Sequence, residues 1–282
     1  MIQWYPGHMA KAKRILRADL KLVDLVIEIL DARIPGSSQN PALDELLHTK
    51  ERIIALNKKD LAADDLTCLW LRHFQQKYPS IAVNALKGEG ISSLLALIRQ
   101  TGAQINSRVL KKGRKSREIR IMIIGIPNVG KSALINTLTG SSMAKTGNKP
   151  GVTRGRQWIG VGDEIQLLDT PGILWPKFGD EDVGYKLALT GAISDDIFDQ
   201  ELAAYKLIEY LLNIDPDILS RTYQNKLVSN QPDDILALIG KKRGCLCSGG
   251  RIDRDRASKT LINEFRKGKL GPVTLEKPVM EA

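Results

Sequence analysis

Residues 125–132 read GIPNVGKS, a match to the spacing G-x-x-x-x-G-K-[ST]. Each fixed position in that spacing has a chemical reason. Glycines let successive backbone N–H groups wrap an oligophosphate, a lysine at Lys131 neutralises its β and γ oxygens, and the Ser132 hydroxyl suits a Mg²⁺ ligand. The amides of Asn128, Val129, Gly130 and Ala133 complete the expected cradle. About forty residues on, DTPG (Asp169–Gly172) offers a carboxylate that can hold Mg²⁺ through water and a Gly172 N–H that can meet a γ-phosphate. Between the two, KPGVTRG supplies Thr153, a hydroxyl suited to both the metal and the γ-phosphate.

A second set of residues has the chemistry of base recognition. In NKKD, Asn57–Asp60, the Asp60 carboxylate can accept from both N1 and the 2-amino group of guanine, a pair of donors that adenine does not offer. Lys58 would lie along the base. NALKG follows at Asn84–Gly88, where GTPases usually place S-A-K or S-A-L; Asn84 departs from that pattern, and the Ala85 N–H is the expected contact to the base. Ile173 stands where many GTPases carry the Gln that orients the attacking water, so another group must do that work. His8, in YPGHM, is a candidate. Asn128 resembles the phosphate-loop Asn of cation-activated GTPases, whose side-chain carbonyl helps hold K⁺ beside the phosphates.

These residues need strands to end on them. Apolar runs at 22–32, 52–57, 81–85 and 119–125, with two shorter strands near 156–161 and 164–169, alternate with helical spacings at 91–100 and 131–140. That alternation predicts a mostly parallel sheet covered on both faces. Beyond residue 178 the pattern turns to amphipathic helices such as 199–213, with a strand reading only at PVTLE near the end. The expected division is therefore a G domain over 1–178 and a smaller helical domain over 179–282.

Composition limits the partners. The chain has 282 residues, a net charge of +10 and three cysteines, Cys68, Cys245 and Cys247, too few and wrongly spaced for a disulfide framework or a four-ligand zinc site. No apolar run is long enough to cross a membrane and no secretory leader is legible, so a cytoplasmic location with no membrane partner is expected. The basic excess favours a polyanion. It concentrates at 108–120, just before an apolar strand, and at 241–269, which holds Lys241, Lys242, Arg243, Arg251, Arg254, Arg256, Lys259, Arg266, Lys267 and Lys269.

Order is the informative feature, because base recognition here precedes the phosphate loop, whereas most GTPases have the reverse. A chain cut at one surface loop and rejoined at another can form the same site. On WYPGHMAKAKR, DARIP, NKKD, GIPNVGKS, DTPGILWPKF, KRGCLCSGG and FRKGKLG, the sequence resembles the circularly permuted GTPases, specifically the bacterial ribosome biogenesis GTPase A family. The resemblance implies an α/β P-loop G domain followed by a helical, RNA-contacting domain. It also implies GTP hydrolysis with Mg²⁺ during late assembly of the large ribosomal subunit, whose precursor would be the partner of a monomeric protein. A GTPase of tRNA modification, or an RNA-binding scaffold whose hydrolysis is incidental, are the alternatives.

The base-recognition reading has a direct test. Asp60→Asn removes one acceptor, so GTP binding should weaken while affinity for xanthosine triphosphate, whose 2-oxo group accepts from an amide, should rise. Unchanged GTP affinity in a nucleotide titration would reduce NKKD to a turn.

Overall fold

The structure, a computed structural model, describes residues 14–140, 157–169, 180–225 and 229–279. The described residues divide into two compact units, one of 14–169 with 276–279, the other of 180–275.

The first unit is built on six strands: β1 (Leu25–Asp31), β2 (Glu51–Asn57), β3 (Ser80–Ala82), β4 (Ile119–Ile124), β5 (Gln157–Val161) and β6 (Ile165–Asp169). Their spatial order is β3-β2-β1-β4-β6-β5, parallel throughout except for β5 against β6. The central β1, LVIEILD, is buried at every position, which is why it reads as a run and not as an alternation. The helices of this unit are α1 (14–20), α2 (Pro35–Ser38), α3 (Pro41–Leu47), α4 (Asp64–Gln75), α5 (Ile91–Lys111) and α6 (Lys131–Thr139).

On one face of the sheet, Leu16 and Leu20 of α1 and Leu43 and Leu47 of α3 pack on Val26, Met122, Ile124 and Leu168. Beside them Trp70 and Phe74 of α4 pack on Leu30, Ile54 and Leu56. On the opposite face, α5 comes so close to β4 that a Cβ on Gly102 would lie 2.9 Å from Ile119 Cγ1. Helix α5 extends well past the expected 91–100. The first part of the basic connector is rich in residues that favour helix, and nothing stops it before Gly113, whose φ of 73° is a left-handed helix end.

The second unit holds α7 (Glu181–Leu189), α8 (Gln200–Ile214), α9 (Ile218–Tyr223), α10 (Pro232–Lys242) and α11 (Arg254–Arg266). Asp180, Asp199 and Asp253 cap α7, α8 and α11 by accepting from first-turn N–H groups. The strand expected at PVTLE does not form. Instead Glu276 ties the tail to the rest of the sheet unit: its carboxylate accepts from the Ser37 N–H at 2.8 Å and the Ser37 hydroxyl at 2.5 Å, and its backbone carbonyl accepts from Trp70 Nε1 at 3.1 Å. Those bonds use a side chain and an indole where a strand would use a backbone ladder.

One carboxylate interrupts the apolar face of the sheet. Glu28 is 1% exposed and stands 3.2 Å from Arg52, which also pairs with Asp44 at 2.7 Å and lies over the Tyr78 ring. Burial raises its pKa from 4.5 to about 7, against the opposing pull of Arg52. The folded state therefore keeps a proton that the unfolded chain has lost, and stability should fall as pH rises between about 5 and 7, by up to about 1.4 kcal/mol per pH unit. Denaturant unfolding of wild type and Glu28→Gln across that range should show the slope shrinking in the variant; parallel curves would remove Glu28 as the cause.

Candidate functional site

The motifs among the described residues begin where parallel strands end. Asp31 closes β1, Asn57 closes β2, Asn84 follows β3, Gly125 follows β4 and Asp169 closes β6, so all lie along one edge of the sheet. From β1 the chain builds outward through β2 to β3, and from β4 it builds the other way toward β6. Parallel sheets bind ligands in the crevice at such a reversal, here between β1 and β4.

The phosphate loop springs from β4 at close quarters. A Cβ on Gly125 would lie 2.5 Å from the Ile29 carbonyl of β1, so that position admits only glycine without displacing backbone. Asn128 and Gly130 both have positive φ, 57° and 105°. Gly130 starts α6 with no side-chain cap, and the first bond back to it comes from Leu134 N–H at 2.9 Å. The N–H groups of Lys131, Ser132 and Ala133 thus belong to the first turn, which has no intrahelical acceptors, and this is the arrangement that receives phosphate. The Lys131 ammonium is buried beside them and donates to the carbonyls of Gly125 at 3.2 Å and Ile126 at 2.9 Å.

Asn57 joins this loop to the base-recognition segments. Its Nδ2 donates to the Val129 carbonyl at 2.7 Å and its Oδ1 accepts from the Ala85 N–H at 2.9 Å. A Cβ on Gly130 would collide with that Nδ2, so this glycine serves the asparagine as well as the phosphates. The Ala85 N–H, expected to meet the base, is thus engaged by Asn57. Asn84 fills the place of the usual serine by folding its own turn: its Oδ1 accepts from Leu86 N–H at 3.2 Å and Lys87 N–H at 3.1 Å. The Thr137 hydroxyl of α6 donates to the Ala85 carbonyl at 2.6 Å, a second tie between the two loops. Asp60 is exposed and has an ion pair to Lys87 at 3.7 Å.

A group that the motifs did not single out holds Lys58. Asp31 is 1% exposed, accepts from Lys58 Nζ at 2.8 Å, and takes Arg33 Nε and Nη2 at 2.9 and 2.7 Å. Burial would raise its pKa, but Arg33 and Lys58 outweigh it and hold the carboxyl well below the usual carboxylate range. Lys58 itself has a left-handed backbone, φ 61°. The pair was legible only as DARIP ahead of NKKD; it takes the β1–β2 register, which sets Asp31 beside Asn57, to bring them together.

The donors present fit a Mg²⁺–nucleotide complex. Ser132 stands on the first turn of α6, where its hydroxyl could hold the metal, and Asp169 closes β6, the strand beside the one that carries the phosphate loop. Bound there, the ion would neutralise charge on the β- and γ-phosphates. His8, Thr153 and Gly172 lie outside the described residues.

Asn57→Ala removes two buried hydrogen bonds at once. GTP and GDP should both bind more weakly by about 2 kcal/mol, roughly 30-fold. A fluorescent-nucleotide titration that gave wild-type affinities would mean the loops find their positions without it.

The comparisons agree with this geometry. Residues 120–231 match the family described as 50S ribosome-binding GTPase; the match starts at the phosphate-loop strand and leaves the base-recognition segments upstream. Ribosome biogenesis GTPase A of Bacillus licheniformis is 47% identical over 283 residues, covering 99% of each chain. The protein of the same name from Thermotoga maritima is 33% identical over 98% of this chain and 95% of its own. Among solved structures, GNP-bound YlqF from T. maritima superposes with a TM-score of 0.68 at 29% identity, covering 95% of this chain and 99% of that one. GDP-bound TM YlqF gives a TM-score of 0.70 at 29% identity, over 94% and 99% of the two chains. This chain belongs to the ribosome biogenesis GTPase A family, as a GTP hydrolase whose P-loop G domain has its motifs in circularly permuted order.

Proposed function

We propose that the protein binds precursors of the large ribosomal subunit late in assembly and uses GTP hydrolysis to time its stay there. The relatives' names support the setting: besides ribosome biogenesis GTPase A, a mitochondrial ribosome-associated GTPase 1 of Bos taurus is 32% identical over 99% of this chain. In this reading 1–178 carries the nucleotide, 179–282 contacts RNA, and the protein acts as a monomer in the cytoplasm. Among the described residues no helix is long and apolar enough to cross a membrane.

The observation that carries the RNA contact is how the helical unit spends its basic residues. Arg243 pairs with Glu264 at 2.8 Å, Arg254 with Asp233 at 2.8 Å, Lys259 with Asp255 at 2.6 Å and Arg266 with Asp195 at 2.7 Å. Lys241, Lys242, Arg251, Arg256, Lys267 and Lys269 are exposed and, among the described residues, make no ion pair. They fall at the two ends of α11, with Lys241 and Lys242 at the end of α10, so phosphate groups would be met at two places and not along one face.

For hydrolysis, the first turn of α6 and Lys131 would hold the β- and γ-phosphates, and Asp60 with Lys58 would select guanine. Ile173 cannot orient water, so turnover would be slow until His8, a K⁺ held by Asn128, or a group of the particle completes the site.

Because DTPG leads straight into the helical domain in this chain order, the γ-phosphate and the RNA contacts should be linked. At one fixed salt concentration, large-subunit particles should bind more tightly with a non-hydrolysable GTP analogue than with GDP, and Lys131→Ala should erase the difference. Equal affinity in both states would leave a constitutive RNA binder.

A further inference from the structure

The permuted order requires a seam, a segment joining the helix that ordinarily ends a G domain to the phosphate-loop strand that ordinarily begins it. Here that seam runs from α5 to β4, and it is much longer than the join needs. Gly102 already lies against Ile119, yet residues 103–118 leave this point and come back to it. None of 103–118 is buried. The last nine residues of α5 carry the excursion about 14 Å beyond the core they could have packed on.

The excursion is nonetheless built. Lys112 N–H and Arg114 N–H both donate to the Val109 carbonyl at 3.2 Å and Gly113 N–H to Leu110 at 2.9 Å, closing the helix end around Gly113. Asn106 Nδ2 donates across to the Arg117 carbonyl at 3.0 Å, tying the outgoing helix to the returning strand. At the base, Arg108 pairs with Glu51, and Arg117 pairs with Asp24 at 2.7 Å. Asp24 also accepts the Arg120 N–H at 3.0 Å, fixing the start of β4.

Charge is partitioned along it. Of the six basic residues in 103–118, Arg108 and Arg117 anchor the base. Lys111, Lys112, Arg114 and Lys115 are at the tip, all exposed and, among the described residues, in no ion pair; the one acid in the stretch is Glu118. Four like charges within five residues repel one another, so the isolated protein gains nothing by presenting them on a braced projection.

We infer that this seam is a basic finger that grips RNA phosphates, a second contact separate from the helical domain. RNA is favoured because the tip offers four cations within five residues on a stem braced by the Asn106–Arg117 hydrogen bond, and closely clustered charge suits the dense charge of a phosphate backbone. It stands at the edge of the sheet where strands begin, opposite the edge that carries the nucleotide motifs, so it can be filled without touching GTP. The inference rests on the ribosomal-precursor reading for its partner.

The test uses the full-length protein with Lys111, Lys112, Arg114 and Lys115 all changed to Gln, and measures binding to purified large-subunit precursor particles between about 50 and 200 mM salt, with a non-hydrolysable GTP analogue bound. Basal GTP hydrolysis and the thermal midpoint should match wild type. The slope of log affinity against log salt should shrink by about 3, and affinity at the upper salt should fall about tenfold or more. A parallel Lys241, Lys242, Arg251, Arg256→Gln variant reports on the helical domain. If wild type binds the particle, and the finger variant keeps both affinity and slope, the finger inference is overturned while the proposed function stands. Failure of wild type to bind the particle would overturn both. Loss of binding to vesicles of anionic phospholipid, with particle binding intact, would assign the finger to a membrane and overturn the RNA reading.

Discussion

Both ends of the Asn57 amide are spent inside the protein, one on the phosphate loop at Val129 and the other on the base loop at Ala85. Those loops lie on opposite sides of the reversal in strand order, and the three segments come from distant parts of the chain. A buried amide holding both a donor and an acceptor fixes distance and orientation together, since leaving either end unmade would strand a polar atom out of water. Gly130 follows from this, because a side chain there would occupy the amide's place.

Around that tie the permuted chain restores a conventional arrangement by unconventional connections. Lys58 is drawn to the end of β1 by Asp31, whose charge survives burial because Arg33 shares it. The last residues of the α2 turn that follows are fastened twice: the Ser38 hydroxyl accepts from the Asp31 N–H, and Ser37 donates to the Glu276 carboxylate. Glu276 thus fastens the tail to the α2 turn that follows β1.

Net charge alone would have misplaced the interactions. Much of the basic excess is consumed in ion pairs that fasten helices and strand starts, and such exposed pairs add little stability individually. Among the described residues, uncompensated basic side chains gather at the ends of α10 and α11 and at the tip of the seam.

The residue types and spacings by themselves determined the nucleotide chemistry, the guanine preference and the permuted order. The requirements behind them are local: a glycine where amides must approach phosphate, a lysine at the start of a helix, a carboxylate after a buried strand. Five of the six strands form the parallel part of the sheet, and those that are buried on both faces could be read as apolar runs for the same reason. The sequence reading singled out none of α1 to α4, although the buried residues of α4, Leu66, Thr67, Trp70 and Phe74, share one helical face, nor did it disclose the failure of PVTLE to form a strand. Tertiary structure alone decided that Asp31 would hold Lys58, that Asn57 would claim the Ala85 N–H, that Arg243, Arg254, Lys259 and Arg266 would be neutralised while their neighbours were not, and that Gly102 would already touch Ile119. Each of these is a meeting of residues far apart in the chain, fixed by strand register and helix packing, and no local pattern records which distant partner a charge or an amide will find.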